Sequence, residues 1–383
     1  MTHLVVESRT LSPVKLPHLP IQAVLPQLKT ALNQSSAVLA APPGSGKTTV
    51  VPLALMAEPW LAGKKILILE PRRLATRAAA MRMSAMLNEP VGQKVGYQIR
   101  FDRRTSPQTR IEVVTEGILT RRLQQEGDLT DVGLVIFDEF HERSLHADLA
   151  LALCLDLAQI REDLRLLVMS ATLDTEPIAR LLGNVPIITG SGELHPVTID
   201  YLDRPPKGRI SEVVARGILR QQATAGDILV FLPGRAEITQ TRELLLKEAS
   251  LADRLILPLL GELSAQDQDR AIFPDPQGRQ RIILATAIAE TSLTIEGVST
   301  VIDSGWSRLP RFNPATGLSR LTTTRVSKAT ADQRRACRAS GTWLLSAPLD
   351  QRRAAQSSRL SSSRDCSCRS GAAGSGAGAL GHA

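Results

Sequence analysis

Short apolar runs alternate along this chain with longer segments in which apolar residues recur at helical spacing. In the first half the runs cover residues 37–40, 64–70, 111–115, 132–137 and 164–169, and most lead into a helical segment, the longest at 145–160. Short continuous apolar runs are typical of parallel strands that are buried on both faces. The alternation predicts an α/β domain over residues 16–194, with a mainly parallel sheet flanked by helices.

The same alternation restarts after a turn-rich segment at 190–206. Apolar runs at 227–232, 255–260, 281–285 and 300–302, with a helical segment at 235–248, predict a second α/β domain over 195–330. Ser, Arg, Ala and Gly dominate residues 331–383. Such a composition cannot bury enough apolar surface to offset the entropy lost on ordering, so we expect a disordered tail.

Composition narrows the class of protein. Apolar residues make up 43% of the chain and charged residues 22%, as in soluble globular proteins. No apolar run is long enough to cross a membrane, and the first residues lack the apolar core of a secretory signal. The four cysteines do not form the pattern of a disulfide framework, so we expect a reduced, cytoplasmic location.

The net charge of +8 suggests a nucleic-acid partner, but its distribution weakens that argument. Residues 331–383 hold eight arginines and three aspartates, a net charge of +5, which leaves +3 for the other 330 residues. A nucleic-acid partner therefore has to be predicted from local motifs.

A glycine-rich loop follows the first apolar run and reads A-P-P-G-S-G-K-T-T from Ala41 to Thr49. Gly44 and Gly46 allow a tight turn that brings backbone N–H groups to phosphate oxygens. Lys47 can contact the β- and γ-phosphates, and the Thr48 hydroxyl can ligate Mg²⁺. The order of strand, loop and helix predicts a P-loop that binds ATP and Mg²⁺. An ordinary glycine-rich turn with a surface lysine is the alternative, and Ala41 stands where such loops usually begin with Gly.

An acidic pair ends the fourth apolar run. Asp138 can hold the Mg²⁺ shared with Thr48, and Glu139 can orient and deprotonate the water that attacks the γ-phosphate. By itself such a pair is usually a solvated turn. Together with the P-loop it predicts nucleotide hydrolysis.

Six segments carry a resemblance to a known family. They read A-P-P-G-S-G-K-T, E-P-R-R, T-E-G, D-E-F-H, S-A-T-L-D and L-A-T-A-I-A-E-T-S-L-T-I-E-G-V. In this order and spacing they resemble the DEAH-box helicases of superfamily two, and in detail the bacterial HrpB-type members. The resemblance covers residues 16–334 and implies two tandem RecA-like domains that hold a nucleoside triphosphate and a single nucleic-acid strand.

The resemblance also implies a set of nucleotide-site residues. The triphosphate would be held by Gly44, Ser45, Gly46, Lys47, Thr48 and Thr49. His141 would link the nucleotide to the second domain, and Gln333 of the last motif would take part in catalysis. Arg82 and Phe273 would stack on opposite faces of the adenine; the alternative is an exposed helix arginine and a core phenylalanine.

The resemblance implies a second set of residues, which would bind RNA or single-stranded DNA. These residues would contact the nucleic-acid backbone without reading its sequence. The members of this set are Arg72, Arg73, Thr115, Glu116, Gly117, Arg235, Thr286, Thr291 and Ser292. Ser170 and Thr172 match a motif that couples the domains, and residues 306–325 match a β-hairpin, for which N-P-A-T-G is a good turn signal. Alone, Arg72 and Arg73 would suit a solvated turn, and Thr291 and Ser292 a helix cap.

The last family motif departs from its pattern. Its usual form, Q-R-x-G-R-x-G-R, supplies two arginine fingers to the γ-phosphate. Here Gln333-Arg334 is followed by R-A-C-R-A-S-G-T, which places Cys337 and Ser340 at the finger positions, or Arg338 and Gly341 if one residue is inserted. We hypothesise a reading-frame shift near codon 335, testable by translating the other two frames. The alternative is a short member with a basic disordered tail.

These observations predict an ATP-dependent helicase or translocase. The alternative is a nucleotide- and nucleic-acid-binding remnant with little or no ATP turnover. A P-loop metabolic kinase would not need the T-E-G, S-A-T or A-E-T-S segments.

Overall fold

The computed structural model describes residues 19–125, 127–171, 175–190, 197–201, 208–221, 224–290, 295–313, 317–327, 330–331, 334 and 341–345. Of residues 197–201 and 341–345, only the backbone is considered below. These residues form one mainly parallel and one parallel sheet, both flanked by helices, and a separate hairpin. The prediction of two tandem α/β units is thereby confirmed.

The first sheet has eight strands in the order β4-β3-β5-β2-β6-β7-β1-β8. They are β1 Ala37–Ala40, β2 Lys65–Glu70, β3 Val95–Ile99, β4 Asp102–Arg104, β5 Ile111–Thr115, β6 Val132–Phe137, β7 Arg165–Ser170 and β8 Ile187–Thr189. All pair in parallel except β4, which pairs antiparallel with β3. The five predicted strands are confirmed, and β3, β4 and β8 extend the sheet towards its edges.

Helices cover both faces of this sheet. They are α1 Leu25–Gln34, α2 Lys47–Leu55, α3 Arg73–Met86, α4 Glu116–Gln125, α5 Leu145–Ile160 and α6 Glu176–Leu181. Residues of α1, α2 and α3 share one buried apolar cluster with the sheet, and α4, α5 and α6 share a second cluster on the other face. The boundaries of α5 agree with the prediction because Ser144 caps its first turn, accepting the Ala147 N–H at 2.9 Å.

The second half contributes β9 Val197–Tyr201, β10 Asp227–Phe231, β11 Leu255–Leu259, β12 Arg281–Ala285, β13 Val298–Asp303, β14 Trp306–Asn313, β15 Leu318–Arg325 and β16 Gly341–Leu345. Six of them form a parallel sheet in the order β11-β12-β10-β13-β16-β9. Its helices are α7 Ile210–Arg220, α8 Arg235–Leu245 and α9 Ala265–Ile272.

Strand β16 lies beyond residue 330, where the sequence predicts that the second domain ends. It lies within the segment predicted to be disordered, yet it pairs in parallel with β13 on one side and β9 on the other. Backbone hydrogen bonds to two neighbours offset an ordering entropy that the segment could not offset alone. The sequence signal was the short run T-W-L-L at 342–345.

Strands β14 and β15 form the predicted antiparallel hairpin, paired from Trp306 with Arg325 to Asn313 with Leu318. Arg308 on this hairpin lies 3.3 Å from a carboxylate oxygen of Glu237 on α8, which joins the hairpin to the second sheet's helices. In the part of the chain that the structure describes, no helix is long and apolar enough to cross a membrane.

Candidate nucleotide and nucleic-acid site

The P-loop joins β1 to α2, and two of its glycines have a left-handed backbone, with φ +76° at Gly44 and +95° at Gly46. A Cβ atom at Gly46 would lie 2.7 Å from Leu19 Cδ1, so a substitution there would displace the Leu19 side chain in addition to straining the backbone. Helix α2 begins at Lys47, and no side chain caps it in the described part of the chain. Its first N–H groups and the positive end of its dipole suit an anion.

Lys47 meets the acidic pair at the centre of the site. Its Nζ atom lies 2.9 Å from Glu139 Oε1, and both side chains are at least nine-tenths buried. Burial by itself would lower the pKa of Lys47, but the charges of Glu139 and Asp138 outweigh burial, and the pKa is raised. The buried carboxylate of Glu70 at the end of β2 acts in the same direction. The lysine is therefore held as a cation where the loop turns.

Asp138 is buried at the end of β6. Burial, and then the neighbouring Glu139 carboxylate, raise its pKa to about 6, while Lys47 and the Thr48 hydroxyl act in the opposite direction. One carboxylate oxygen, Oδ1, accepts the Glu139 N–H at 2.8 Å. The other, Oδ2, is buried and makes no hydrogen bond to any residue the structure describes.

These oxygens fit Mg²⁺. The ion prefers oxygen ligands and, in phosphate-binding sites, takes only one or two of them from the protein. Asp138 Oδ2 and the Thr48 hydroxyl supply such a pair beside the P-loop. Among described residues, no cluster of three or more His, Cys, Asp and Glu side chains could hold a metal ion.

Glu139 itself has φ +49°, a left-handed conformation that is unusual for a residue other than glycine. Strain of this kind persists where the surrounding structure fixes the residue, often in functional sites. Its second carboxylate oxygen, Oε2, lies 3.3 Å from His141 Nδ1, and this nitrogen accepts the Ala171 N–H at 3.3 Å. His141 thus connects Glu139 to the loop that follows β7.

The predicted adenine pair lies on opposite halves of the chain. Arg82 is on α3, and its guanidinium lies 3.7 Å from a carboxylate oxygen of Glu296 in the second half. Phe273 follows α9 and is partly buried against an apolar cluster that also includes Leu74 and Ala78 of α3. The two stacking candidates therefore belong to elements that pack against each other.

The predicted nucleic-acid residues follow the carboxyl ends of adjacent strands in each sheet, where ligand sites of parallel sheets form. Arg72 and Arg73 follow β2; Thr115 ends β5, with Glu116 and Gly117 opening α4; Arg235 opens α8 after β10; and Thr286 follows β12. Arg235 is exposed and lies 3.3 Å from Glu262, whereas Glu116 accepts the Ser144 hydroxyl at 2.7 Å. Gln333, Thr172, Thr291 and Ser292 lie outside the described residues.

Arg72 connects the two halves directly. Its Nη1 donates to the Ala287 carbonyl oxygen at 2.8 Å, and its Nη2 lies 3.4 Å from Glu142 Oε2. The carboxyl edges of the two sheets therefore meet at this residue. Arg73, the first residue of α3, is exposed.

Several charged residues join distant segments near the site, and the sequence assigned none of them a specific role. Arg77 of α3 reaches α9, Arg281 opens β12, and the buried Arg334 contacts Glu290 and Asp303. Their partners lie far away in sequence. Short motifs therefore gave no signal for Arg77 or Arg281, whereas Arg334 follows Gln333 in the last family motif.

Two family descriptions match the chain. "DEAD/DEAH box helicase" matches residues 20–181, and "Helicase conserved C-terminal domain" matches residues 210–338. The chain belongs to the DEAD/DEAH-box helicases.

Individual relatives agree with this assignment. The helicase chain is 50% identical over 321 residues to the ATP-dependent RNA helicase HrpB of Escherichia coli, which covers 82% of this chain and 39% of that protein. It is 36% identical over 315 residues to the ATP-dependent RNA helicase HrpA of Borreliella burgdorferi, covering 80% and 38%. The crystal structure of the E. coli DEAH/RHA helicase HrpB superposes with a TM-score of 0.78 at 46% identity, over 88% of this chain and 44% of that one. The chain thus spans about two fifths of the length of its curated relatives.

Proposed function

We propose that this chain is an ATP-dependent helicase or translocase that couples ATP hydrolysis to movement on RNA or single-stranded DNA. The observation that carries the proposal is the buried contact between Lys47 and Glu139, with Asp138 and Thr48 beside it. A cation, a base and two metal-ligand oxygens thereby converge at one P-loop.

Each residue of the site has its own role in ATP hydrolysis. Lys47 and the N–H groups from Gly44 to Thr49 hold the triphosphate. Thr48 and Asp138 would hold Mg²⁺, which would supply positive charge against the triphosphate. Glu139 orients the attacking water and accepts its proton. Because Lys47 contacts Glu139 in this structure, binding of the γ-phosphate would draw Lys47 away and free that carboxylate for the water.

Nucleic acid would lie across the carboxyl edges of both sheets. Arg73, Thr115 and Gly117 would contact its backbone from the first sheet, and Arg235 and Thr286 from the second. Contacts to phosphate and sugar carry no sequence readout, so we expect binding of many sequences. The contact of Arg72 with Ala287 and Glu142 supports coupling between the sheets when the cleft opens and closes.

A second candidate is a protein that binds nucleotide and nucleic acid but turns over little ATP. The observation in its favour is the last motif, where R-A-C-R-A-S-G-T follows Arg334 without the paired arginines that usually complete the site. We keep the reading-frame shift near residue 335 as the hypothesis for this departure, and the cytoplasm as the expected location.

Strand displacement tests the proposed function. A fluorescently labelled RNA duplex with a single-stranded overhang is mixed with the chain and Mg²⁺, together with ATP or a non-hydrolysable ATP analogue. We expect the labelled strand to be displaced in the presence of ATP but not in the presence of the analogue. We expect no displacement by Lys47→Ala with either nucleotide. Binding of overhang and ATP without displacement or phosphate release would support the second candidate instead.

A further inference from the structure

One arginine in the second sheet is almost completely enclosed. Arg281 opens β12 with 1% of its surface exposed. Its Nε and Nη2 atoms donate to Asp227 Oδ2 at 2.9 and 2.6 Å, and its backbone N–H donates to Asp227 Oδ1 at 2.6 Å. A buried guanidinium held by a carboxylate in this way has one orientation, which fixes the direction of its other N–H groups.

Those other N–H groups bind the backbone of two separate segments. Nη1 donates to the carbonyl oxygens of Ala271, at 3.1 Å, and Phe273, while Nη2 donates to that of Glu296 at 2.6 Å. One guanidinium therefore fixes Phe273 and Glu296 relative to each other.

Both segments contact the surroundings of helix α3, which carries Arg82. The carboxylate of Glu296 lies 3.7 Å from the Arg82 guanidinium, and Phe273 packs against the same apolar cluster as Ala78, one turn before Arg82 on α3. The Arg82–Glu296 pair is exposed and weak by itself, so the position of Glu296 depends on its backbone.

We propose that Arg281 is a positioning residue for the base-binding side of the nucleotide site, holding Phe273 and Glu296 opposite Arg82. This inference rests on the proposed function and on the expectation from the sequence that the base stacks between Arg82 and Phe273. Lysine could keep the charge pair with Asp227. It could not reproduce the planar fork that reaches both carbonyl groups, so Arg281→Lys separates positioning from simple charge pairing.

The test compares two ligands of the same chain by calorimetry in the presence of Mg²⁺. ATP contacts the P-loop and the base site, whereas inorganic tripolyphosphate contacts only the P-loop. For Arg281→Lys we expect ATP affinity to fall about tenfold, the effect of one lost stacking contact, with tripolyphosphate affinity unchanged. Arg279→Met is the matched control, since Arg279 is on the same segment but exposed and paired only with Asp275 among its described contacts.

The outcomes separate the inference from the proposed function. If a folded Arg281→Lys variant loses affinity for ATP and tripolyphosphate to the same extent, or for neither of them, the positioning role is overturned. A wild-type chain that binds both ligands equally has no base site, which also overturns it. A wild-type chain that binds neither contradicts the proposed function itself. If Arg281→Lys does not fold, Phe273→Ala and Glu296→Gln replace it: selective loss of ATP affinity in both supports the inference, and unchanged affinity overturns it.

Discussion

Arg77 Nη2 of α3 lies 2.8 Å from Asp269 Oδ1 of α9, and this contact joins the two halves of the chain across 192 positions of sequence. The same Nη2 atom donates to Gln268 Oε1 and to the Ala265 carbonyl oxygen, each at 3.1 Å. Leu74, one turn earlier, is buried in an apolar cluster of the second sheet. Helix α3 therefore carries Arg82 while it is docked on the second half, so the base site and the domain contact share one helix.

A double-mutant cycle on Arg77→Met and Asp269→Asn should give a coupling energy on the order of 1–2 kcal/mol in urea unfolding, because both side chains are at least partly buried. Arg180 and Glu176, 3.9 Å apart and largely exposed, are the control pair, for which we expect a coupling within about 0.5 kcal/mol of zero. Equal coupling for the two pairs would show that Arg77 does not hold the halves together.

Removal of Arg334 should destabilise the second sheet in a pH-dependent way. This fully buried side chain binds Glu290 Oε1 at 2.6 Å through Nη2, and also binds Asp303. Burial raises the pKa of Glu290, while Arg334 and Arg72 act against that rise. In Arg334→Met the pKa of Glu290 rises further. As the pH increases, more of the buried Glu290 carboxyl group, which no longer has Arg334 beside it, must lose its proton in the folded state, which lowers the free energy of unfolding.

We expect Arg334→Met to lower the free energy of unfolding by about 3–5 kcal/mol at pH 8, and by clearly less at pH 5, where the carboxyl group binds a proton. Chemical unfolding at both pH values measures the difference. Glu290→Gln, which removes the charge, should reduce the pH dependence of the Arg334→Met loss. A loss of equal size at both pH values would contradict this electrostatic explanation.

Gly46→Ala should weaken ATP binding more than Gly44→Ala. Both glycines have positive φ, so each substitution strains the backbone by about 1 kcal/mol. Only at Gly46 does the new Cβ also meet Leu19, whereas at Gly44 no heavy atom of the described residues, apart from those of its chain neighbours, lies within 4 Å. Calorimetry with ATP and Mg²⁺ measures both variants. Adding Leu19→Ala should restore part of the affinity of Gly46→Ala, and no restoration would refute the steric part of the explanation.

Arg73→Ala should weaken the binding of single-stranded RNA of every sequence to a similar extent. Its exposed guanidinium is predicted to neutralise a phosphate, so the slope of log affinity against log salt should become shallower by about 0.7. Arg72→Ala is the informative comparison, because Arg72 also contacts Ala287 and Glu142. We expect Arg72→Ala alone to lower the melting temperature. An unchanged salt slope for Arg73→Ala would remove Arg73 from the nucleic-acid surface.

The sequence predicted the strands that carry the site because each was a continuous apolar run, as β6 before Asp138 shows. It could not predict β3 or the edge strand β4, since Val95–Ile99 and Asp102–Arg104 are short and partly polar. Strand β16 was missed because its stability depends on its two neighbours.

The site residues differ in the same way, since some depend only on local sequence and others on distant neighbours. Gly46, Lys47 and Asp138 stand in short motifs whose chemistry is local. The roles of Arg77 and Arg281 depend on partners that only the folded chain brings together, Asp269 and Asp227.

The most direct test of the account is the ATP hydrolysis rate of the wild-type chain at saturating single-stranded RNA, compared with Glu139→Gln and Lys47→Ala. We predict a wild-type rate that RNA stimulates, and a rate at least about 100-fold lower for Glu139→Gln, the usual effect of removing a general base. Glu139→Gln should still bind ATP, whereas Lys47→Ala should not. A wild-type rate that equals the Lys47→Ala rate, with RNA and ATP both bound, would contradict the claim that this chain is an RNA-stimulated ATPase.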